Sequence, residues 1–373
     1  MTSTLRPARV EVDLDNLRHN VRTLAGLVAP ASVLAVVKAD GYGHGAVPVA
    51  RAALEAGAVR LGVAIVQEGV RLREAGIDAP ILLLSEPPRQ AAAAVVRHGL
   101  TATVYTRAGI ESLGAAAAAV GAHVPVHLKV DTGMHRVGCT PEEAVGLARV
   151  VAEHPALVLE GVFTHFAVAD EPQDPYTAEQ VARFTGVLDA LDAEGLRPPL
   201  VHAANSAGAI AHPAARFDLV RVGITVYGIA PSDALDPVAG LRPVLRLTSA
   251  VSFVKRVPAG AHLSYGLRYE VVADSTIVTV PVGYADGVPR RLGEVGGEVL
   301  IGGARYPIAG TVTMDQLLVD VGDAEVVAGD EVVLIGRQGD EEITAADWAS
   351  RLGTIAYEIV CGIGPRVPRE YTG

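Results

Sequence analysis

Between residues 33 and 222 the chain alternates short, β-branched apolar runs with longer stretches rich in Ala, Leu, Glu and Arg. The apolar runs fall at 33–37, 61–66, 81–84, 101–104, 124–130, 158–163, 200–204 and 219–222. Helical patterns separate them, as at 47–56, 68–75, 142–153 and 178–194. A helix over 14–29 precedes the series. There Leu14, Leu17, Val21, Leu24 and Val28 recur at helical spacing behind Asp13, a suitable N-cap. Strands that alternate with helices pair in parallel, and eight such units predict a closed (β/α)8 TIM barrel, an α/β fold. An open doubly wound sheet is the weaker reading, because no Gly-x-Gly-x-x-Gly turn follows the first strand.

Past about residue 240 the texture changes. Apolar runs at 245–254, 276–282, 298–301, 317–321 and 331–335 are split by Gly, Pro and Asp. Only short helices fit, near 286–292 and 345–352. This predicts a barrel domain over 1–240 and a C-terminal, mostly-β domain over 241–373, joined by a connector at 233–243. The run at 8–12 precedes the barrel pattern, and residues 1–13 are free to pair with the β domain.

The 373 residues suffice for two cores. A net charge of −11 disfavours a phosphate-tracking surface, so no nucleic-acid partner is expected. No apolar run is long enough to span a bilayer, and residues 1–7 contain no apolar signal segment. Cys139 and Cys361 lie far apart, which argues against a disulfide framework or a structural metal site. The cytoplasm is the expected compartment.

Barrel enzymes gather their chemistry at the C-terminal ends of the strands. Lys38 follows the first strand, ahead of a glycine-rich turn holding Tyr42 and His44. Lys129 and Asp131 end the fifth, with Arg136 beyond. Thr164 and His165 follow the sixth, and Asn205 and Ser206 the seventh. Arg221 lies in the eighth, before Gly223 and Ile224. Each residue alone reads as an ordinary loop, cap or surface group; their joint placement at one mouth does not. The loops after the last two strands suit a phosphate monoester. A lysine opposite such a cradle points to a Schiff base with a phosphorylated aldehyde. Pyridoxal 5′-phosphate fits, and so does a sugar phosphate bound directly by an aldolase.

The stretch Val36-Val37-Lys38-Ala39-Asp40-Gly41-Tyr42-Gly43-His44-Gly45 resembles the cofactor-lysine motif of bacterial alanine racemases. The resemblance continues through Lys129-Val130-Asp131-Thr132-Gly133-Met134-His135-Arg136-Val137-Gly138, Thr164-His165-Phe166, His202-Ala203-Ala204-Asn205-Ser206 and Val220-Arg221-Val222-Gly223-Ile224. In the second half it takes in Ser264-Tyr265-Gly266, Val282-Gly283-Tyr284-Ala285-Asp286-Gly287, Gly310-Thr311-Val312-Thr313-Met314-Asp315 and Tyr357-Glu358. The ordered set spans nearly the whole chain.

The resemblance implies that Lys38 carries pyridoxal 5′-phosphate and acts as a base on one face of the substrate Cα. Tyr265, supplied by the other subunit of a homodimer, acts on the opposite face. Arg221 would face the pyridine nitrogen with His165 beside it. Tyr42, Asn205, Ser206, Gly223, Ile224 and Tyr357 would serve the cofactor and the site entrance. Arg136, Met314 and Asp315 would serve the substrate carboxylate, and Lys129 matches a lysine often carbamylated. Thr313 departs from the family, many of whose members carry cysteine there. The implied activity is interconversion of L- and D-alanine, supplying D-alanine for peptidoglycan. The alternatives are a serine or broad-specificity racemase, a basic-amino-acid decarboxylase on the same two-domain plan, and a non-catalytic cofactor-binding barrel. A β domain carrying Tyr265 argues against the last.

Overall fold

The computed structural model describes residues 5–235 and 240–373. Part of the expected 233–243 connector, and residues 1–4, lie outside the described residues. The chain forms two compact units. One comprises residues from Asn16 to Gly41 and from Ala46 to Arg242; the other takes in the chain up to Asp15, the short segment Tyr42–Gly45, and Pro243–Gly373.

After β1 (Arg9–Asp13), the first unit contains β2 (Ser32–Val36), β3 (Arg60–Val63), β4 (Ile81–Leu83), β5 (Ala102–Val104), β6 (Val124–Lys129), β7 (Leu157–Phe163), β8 (Leu200–His202) and β9 (Leu219–Val222). Two parallel four-stranded sheets, β4-β3-β2-β9 and β5-β6-β7-β8, meet at two seams. At the first, Leu82 bridges Thr101, and the Leu83 N–H donates to the Thr101 carbonyl at 2.9 Å. At the second, Asp218 N–H donates to Val201 and Arg221 N–H to Ala204, at 3.0 and 2.9 Å. The eight strands therefore close into a barrel and leave no unpaired edge.

The strands are short and apolar because both faces are covered; Leu34, Leu61, Ile81, Leu82, Val126 and Val162 are fully buried. Helices fill the connections, including Ala46–Glu55, Val66–Glu74, Arg107–Ala118, Pro141–Glu153 and Tyr176–Ala193. Local chemistry sets their starts. Thr106 caps the third of these through the Gly109 N–H, and Thr140 and Glu143 form a capping box ahead of Pro141.

In the second unit β1 pairs antiparallel with Leu245–Ala250, Val10 opposite Leu247, and parallel with Arg369–Thr372. They belong to a seven-stranded sheet; a three-stranded sheet of Phe253–Val257, Ser275–Val280 and Leu317–Gly322 accompanies it. Val257, Leu263, Val271, Ile277 and Ala309 form a small core there.

Two local expectations differ from the structure, and one element was not expected. The run at 245–254 is two strands, because Val251 N–H turns to Asp330 while Ser252 N–H bonds Thr279 in the other sheet. The helix near 286–292 is instead two 3₁₀ turns, Tyr284–Asp286 and Leu292–Val295; Pro289 between them lacks the N–H a helix interior needs. A helix at Ala356–Gly362, which carries Tyr357, has no counterpart among the expected elements.

Candidate active site

Lys38 begins a turn immediately beyond β2. Its backbone is unusual: Ala39, Asp40, Gly41 and Tyr42 have φ of 53°, 52°, 64° and 52°. L-residues occupy this left-handed region at roughly 1–2 kcal/mol each, and such strain concentrates at functional sites. Specific bonds hold it. Ala39 N–H donates to the Glu68 carboxylate at 2.7 Å, and Gly41 N–H to the Val37 carbonyl at 2.9 Å. The Asp40 carboxylate accepts from Ala46 N–H at 3.0 Å and from Arg71 at 2.9 Å. Residue 43 must be glycine: a Cβ there, at φ 80°, would run into the Val360 carbonyl of the helix bearing Tyr357. That packing brings the Tyr42 and Tyr357 rings to 6.2 Å.

Cations dominate the barrel mouth. Lys129, at the end of β6, is only 4% exposed, with its ammonium 5.5 Å from the Phe163 ring centre. Burial first, then Arg221, Arg136 and Lys38, push its pKa down to about 7, with Asp131 opposing. Arg136 sits in an exposed loop closed by Asp131 N–H to Cys139 O at 2.8 Å and Cys139 N–H to Lys129 O at 3.0 Å. The Asp131 carboxylate is occupied by the Gly133 and His135 N–H groups, so it serves as a loop clasp.

Arg221, 3% exposed, is the most deeply set cation. Its Nη1 donates to His202 Nδ1 at 2.9 Å. Its Nη2 reaches the carbonyls of Thr164 and Ala203 at 2.8 and 2.7 Å, and His165 Nδ1 at 3.0 Å. Burial lowers its pKa to about 9, which still leaves it charged at neutral pH. These partners are all neutral acceptors, so its charge is solvated but not cancelled. Burial and the neighbouring cations hold the imidazole of His165 well below its ordinary value.

The last two loops are tied together. Gly223 N–H donates to Ser206 Oγ at 2.9 Å, and the Thr225 hydroxyl reaches the same oxygen at 3.1 Å. Asn205 spends its side-chain oxygen on Gly208 N–H at 2.9 Å, capping the helix Ser206–Ala211. Ile224 is fully buried at the start of a 3₁₀ turn.

In the β unit, Tyr265 stands 71% exposed on the strained turn Tyr265–Leu267, flanked by Ser264 at φ 61° and Leu267 at φ 51°. Ser264 Oγ anchors it to the Thr311 carbonyl at 2.6 Å. Met314, also exposed, lies in the loop next to Tyr284, whose N–H donates to Thr313 O at 3.0 Å. Arg366 ties Asp315, at 2.7 Å, to the buried Asp286, which Arg6 also engages at 2.7 Å.

Sequence reasoning passed over several residues that organise this mouth. Gln180 on the helix Tyr176–Ala193 donates to Thr132 Oγ1 at 3.2 Å and to the His165 carbonyl at 3.1 Å, joining two strand-end loops. The buried His127 and the partly exposed Glu160 and Arg60 form a polar line behind Arg221. A histidine in an apolar strand was the available signal for His127; nothing in the sequence flagged Arg60 or Glu160.

A strand-end lysine, an uncancelled buried arginine and an accompanying β unit define a class of two-unit, lysine-bearing α/β-barrel enzymes. Residues 12–231 match the alanine racemase N-terminal domain, and residues 244–371 match the alanine racemase C-terminal domain. The alanine racemase of Symbiobacterium thermophilum is 50% identical over 370 residues, covering 99% of this chain and 98% of its own. The solved alanine racemase of Streptomyces coelicolor superposes with a TM-score of 0.94 at 43% identity, over 99% of both chains. That of Bacillus anthracis, solved with bound L-Ala-P, gives 0.93 at 40% identity over 100% of this chain and 96% of its own. The chain belongs to the alanine racemase family, a family of isomerases.

Proposed function

We propose that the protein interconverts L- and D-alanine with pyridoxal 5′-phosphate as cofactor, in the cytoplasm, and so supplies D-alanine for peptidoglycan. The observation that carries this reading is Arg221, a buried cation whose charge the protein solvates without neutralising, in the same barrel mouth as Lys38. An anionic, carbonyl-bearing cofactor suits that donor set. Lys38 would hold it; Arg221, backed by His165, would meet its ring nitrogen; Ser206, Gly223 and Ile224, with Tyr42, would hold the phosphate. Asn205 contributes by shaping the helix start, and Tyr357 borders the entrance.

When bound, the cofactor supplies a sink for the electron pair of the substrate Cα–H bond. Arg221 cannot hand a full proton to the ring nitrogen, so it limits that sink and disfavours transamination. Arg136 holds the substrate carboxylate through its planar fork, aided by the Met314 and Asp315 loop. The Lys38 amine takes or returns the α-proton on one face, and Tyr265 of the partner subunit does so on the other. A homodimer is therefore part of the proposal. The exposed Tyr265, Leu267 and Met314 give such a partner an apolar surface.

The decisive experiment follows deuterium from D2O into alanine. Tyr265→Phe should keep its cofactor and lose α-exchange from L-alanine. Unchanged exchange in that variant would overturn the assignment. Assays across alanine, serine, lysine and arginine set the substrate range, since one methylene discriminates by only about 1–3 kcal/mol.

A further inference from the structure

Behind Arg221 a chain of polar groups crosses the barrel interior from its mouth toward the starts of the strands. His202 Nε2 lies 2.7 Å from His127 Nδ1, and His127 Nε2 lies 3.0 Å from the Glu160 carboxylate. Arg60, the first residue of β3, grips that carboxylate with both terminal nitrogens, at 2.8 and 2.6 Å. Both imidazoles are fully buried, whereas Arg60 and Glu160 reach solvent in part.

The direction of every bond is determined. A guanidinium only donates, so His202 Nδ1 must be an acceptor and its proton must sit on Nε2. That proton is donated to His127 Nδ1, which places the His127 proton on Nε2, facing Glu160. The carboxylate only accepts. Arg221 and Glu160 thus impose the same tautomer on both histidines from opposite ends. These directions require both imidazoles to be neutral; burial, with Arg221 adding to it, lowers the pKa of both, and the Glu160 carboxylate opposes it at His127.

Two features show that the backbone is built around this line. Val126 pairs with Leu159 and His127 with Gly161, which leaves Glu160 as the extra residue of a bulge in β7. Bulges are uncommon between parallel strands and re-aim a side chain. Next to it, a Cβ on Gly161 would lie 2.5 Å from His127 Nδ1, so the glycine makes room for the imidazole.

We propose that Glu160, clamped by Arg60, is a remote positioning residue that fixes Arg221 through a one-directional chain of two neutral histidines. The proposal rests on the cofactor role given to Arg221 above. Its function is to keep His202 Nδ1 an obligate acceptor, so that the guanidinium keeps one orientation toward the cofactor ring. Loss of Glu160 frees His127 to take the other tautomer. His202 then loses its fixed polarity, and Arg221 loses one of its anchors.

The test is 15N NMR of histidine-labelled protein, read first without cofactor and then during titration with pyridoxal 5′-phosphate. The native protein should show both His127 and His202 protonated on Nε2 alone. Glu160→Ala should mix the tautomers of both residues and weaken cofactor binding about three- to tenfold, part of a charge-assisted bond. Glu160→Gln, which offers His127 an amide oxygen, should restore the native tautomers and most of the affinity. If Glu160→Ala does not fold, Arg60→Leu, which leaves the carboxylate unclamped, should broaden the His127 signals and shift His202 as well. Native His202 signals in whichever of these two variants folds would overturn the proposal, as would the opposite tautomer in the native protein. The tautomers are read without cofactor. Failure of the native protein to bind pyridoxal 5′-phosphate therefore sinks the functional reading separately.

Discussion

At the scale of single residues, the site works by placing charge where water cannot relieve it. Lys129 is the clearest case. Its pKa falls from 10.5 in water to about 7 in the fold. Between those values the unfolded chain binds more protons than the native one, so this group makes stability rise with pH from about 7 to about 10.5. Below about 7 both states are protonated, and the full cost of burying the charge, a few kcal/mol at most, is present. Lys129→Met should flatten that slope in denaturant titrations at successive pH values. The same depression leaves much of the amine unprotonated near neutral pH, the form that attacks carbon dioxide. Addition of the amine to CO2 with release of one proton gives a carbamate, and the resulting anion would draw in Arg136 where the ammonium repels it. Incubation with 13C-bicarbonate should yield a carbamate carbon resonance in the native protein and none in Lys129→Met. With threonine rather than cysteine at position 313, thiol reagents should find no target there.

At the scale of elements, much of the barrel was legible before the fold was known. Alternating apolar runs and capped helices are local properties, and Thr140, Glu143 and Pro141 announce their helix without help from the rest of the chain. The bulge at Glu160 was not legible. It depends on the register between β6 and β7, which no local pattern specifies. Glycine substitutions separate the two kinds of constraint. Gly146 and Gly186 lie in the helices Pro141–Glu153 and Tyr176–Ala193 with nothing within 4 Å of a new Cβ. Alanine at either should raise stability by about 0.5–1 kcal/mol. Gly161→Ala should lower it by about 1–3 kcal/mol, because His127 is in the way and the packed barrel cannot yield. Urea unfolding of the three variants checks both signs.

At the scale of the whole molecule, the proposed shared site makes activity a property of a pair of chains. Lys38→Ala and Tyr265→Phe should each be inactive alone. Unfolded together and refolded in equal amounts, they should recover about a quarter of native activity. Half the dimers then combine one chain of each kind, and each of these holds one intact site of two. Absence of recovery, with mixed dimers shown by mass spectrometry, would mean that both bases come from one chain.

By itself the sequence determined the barrel, the change to β structure near residue 240, and the residues that gather at the strand ends. Each of these follows from periodicity or from the position of a polar group along its own strand. The tertiary structure alone decided which partners those residues have. Arg221 lies on β9, His202 on β8, His127 on β6, Glu160 on β7 and Arg60 on β3, far apart in the chain until the barrel closes. Hydrogen-bond direction and buried charge depend on distances of a few ångströms between such strands, and those distances exist only in the folded molecule.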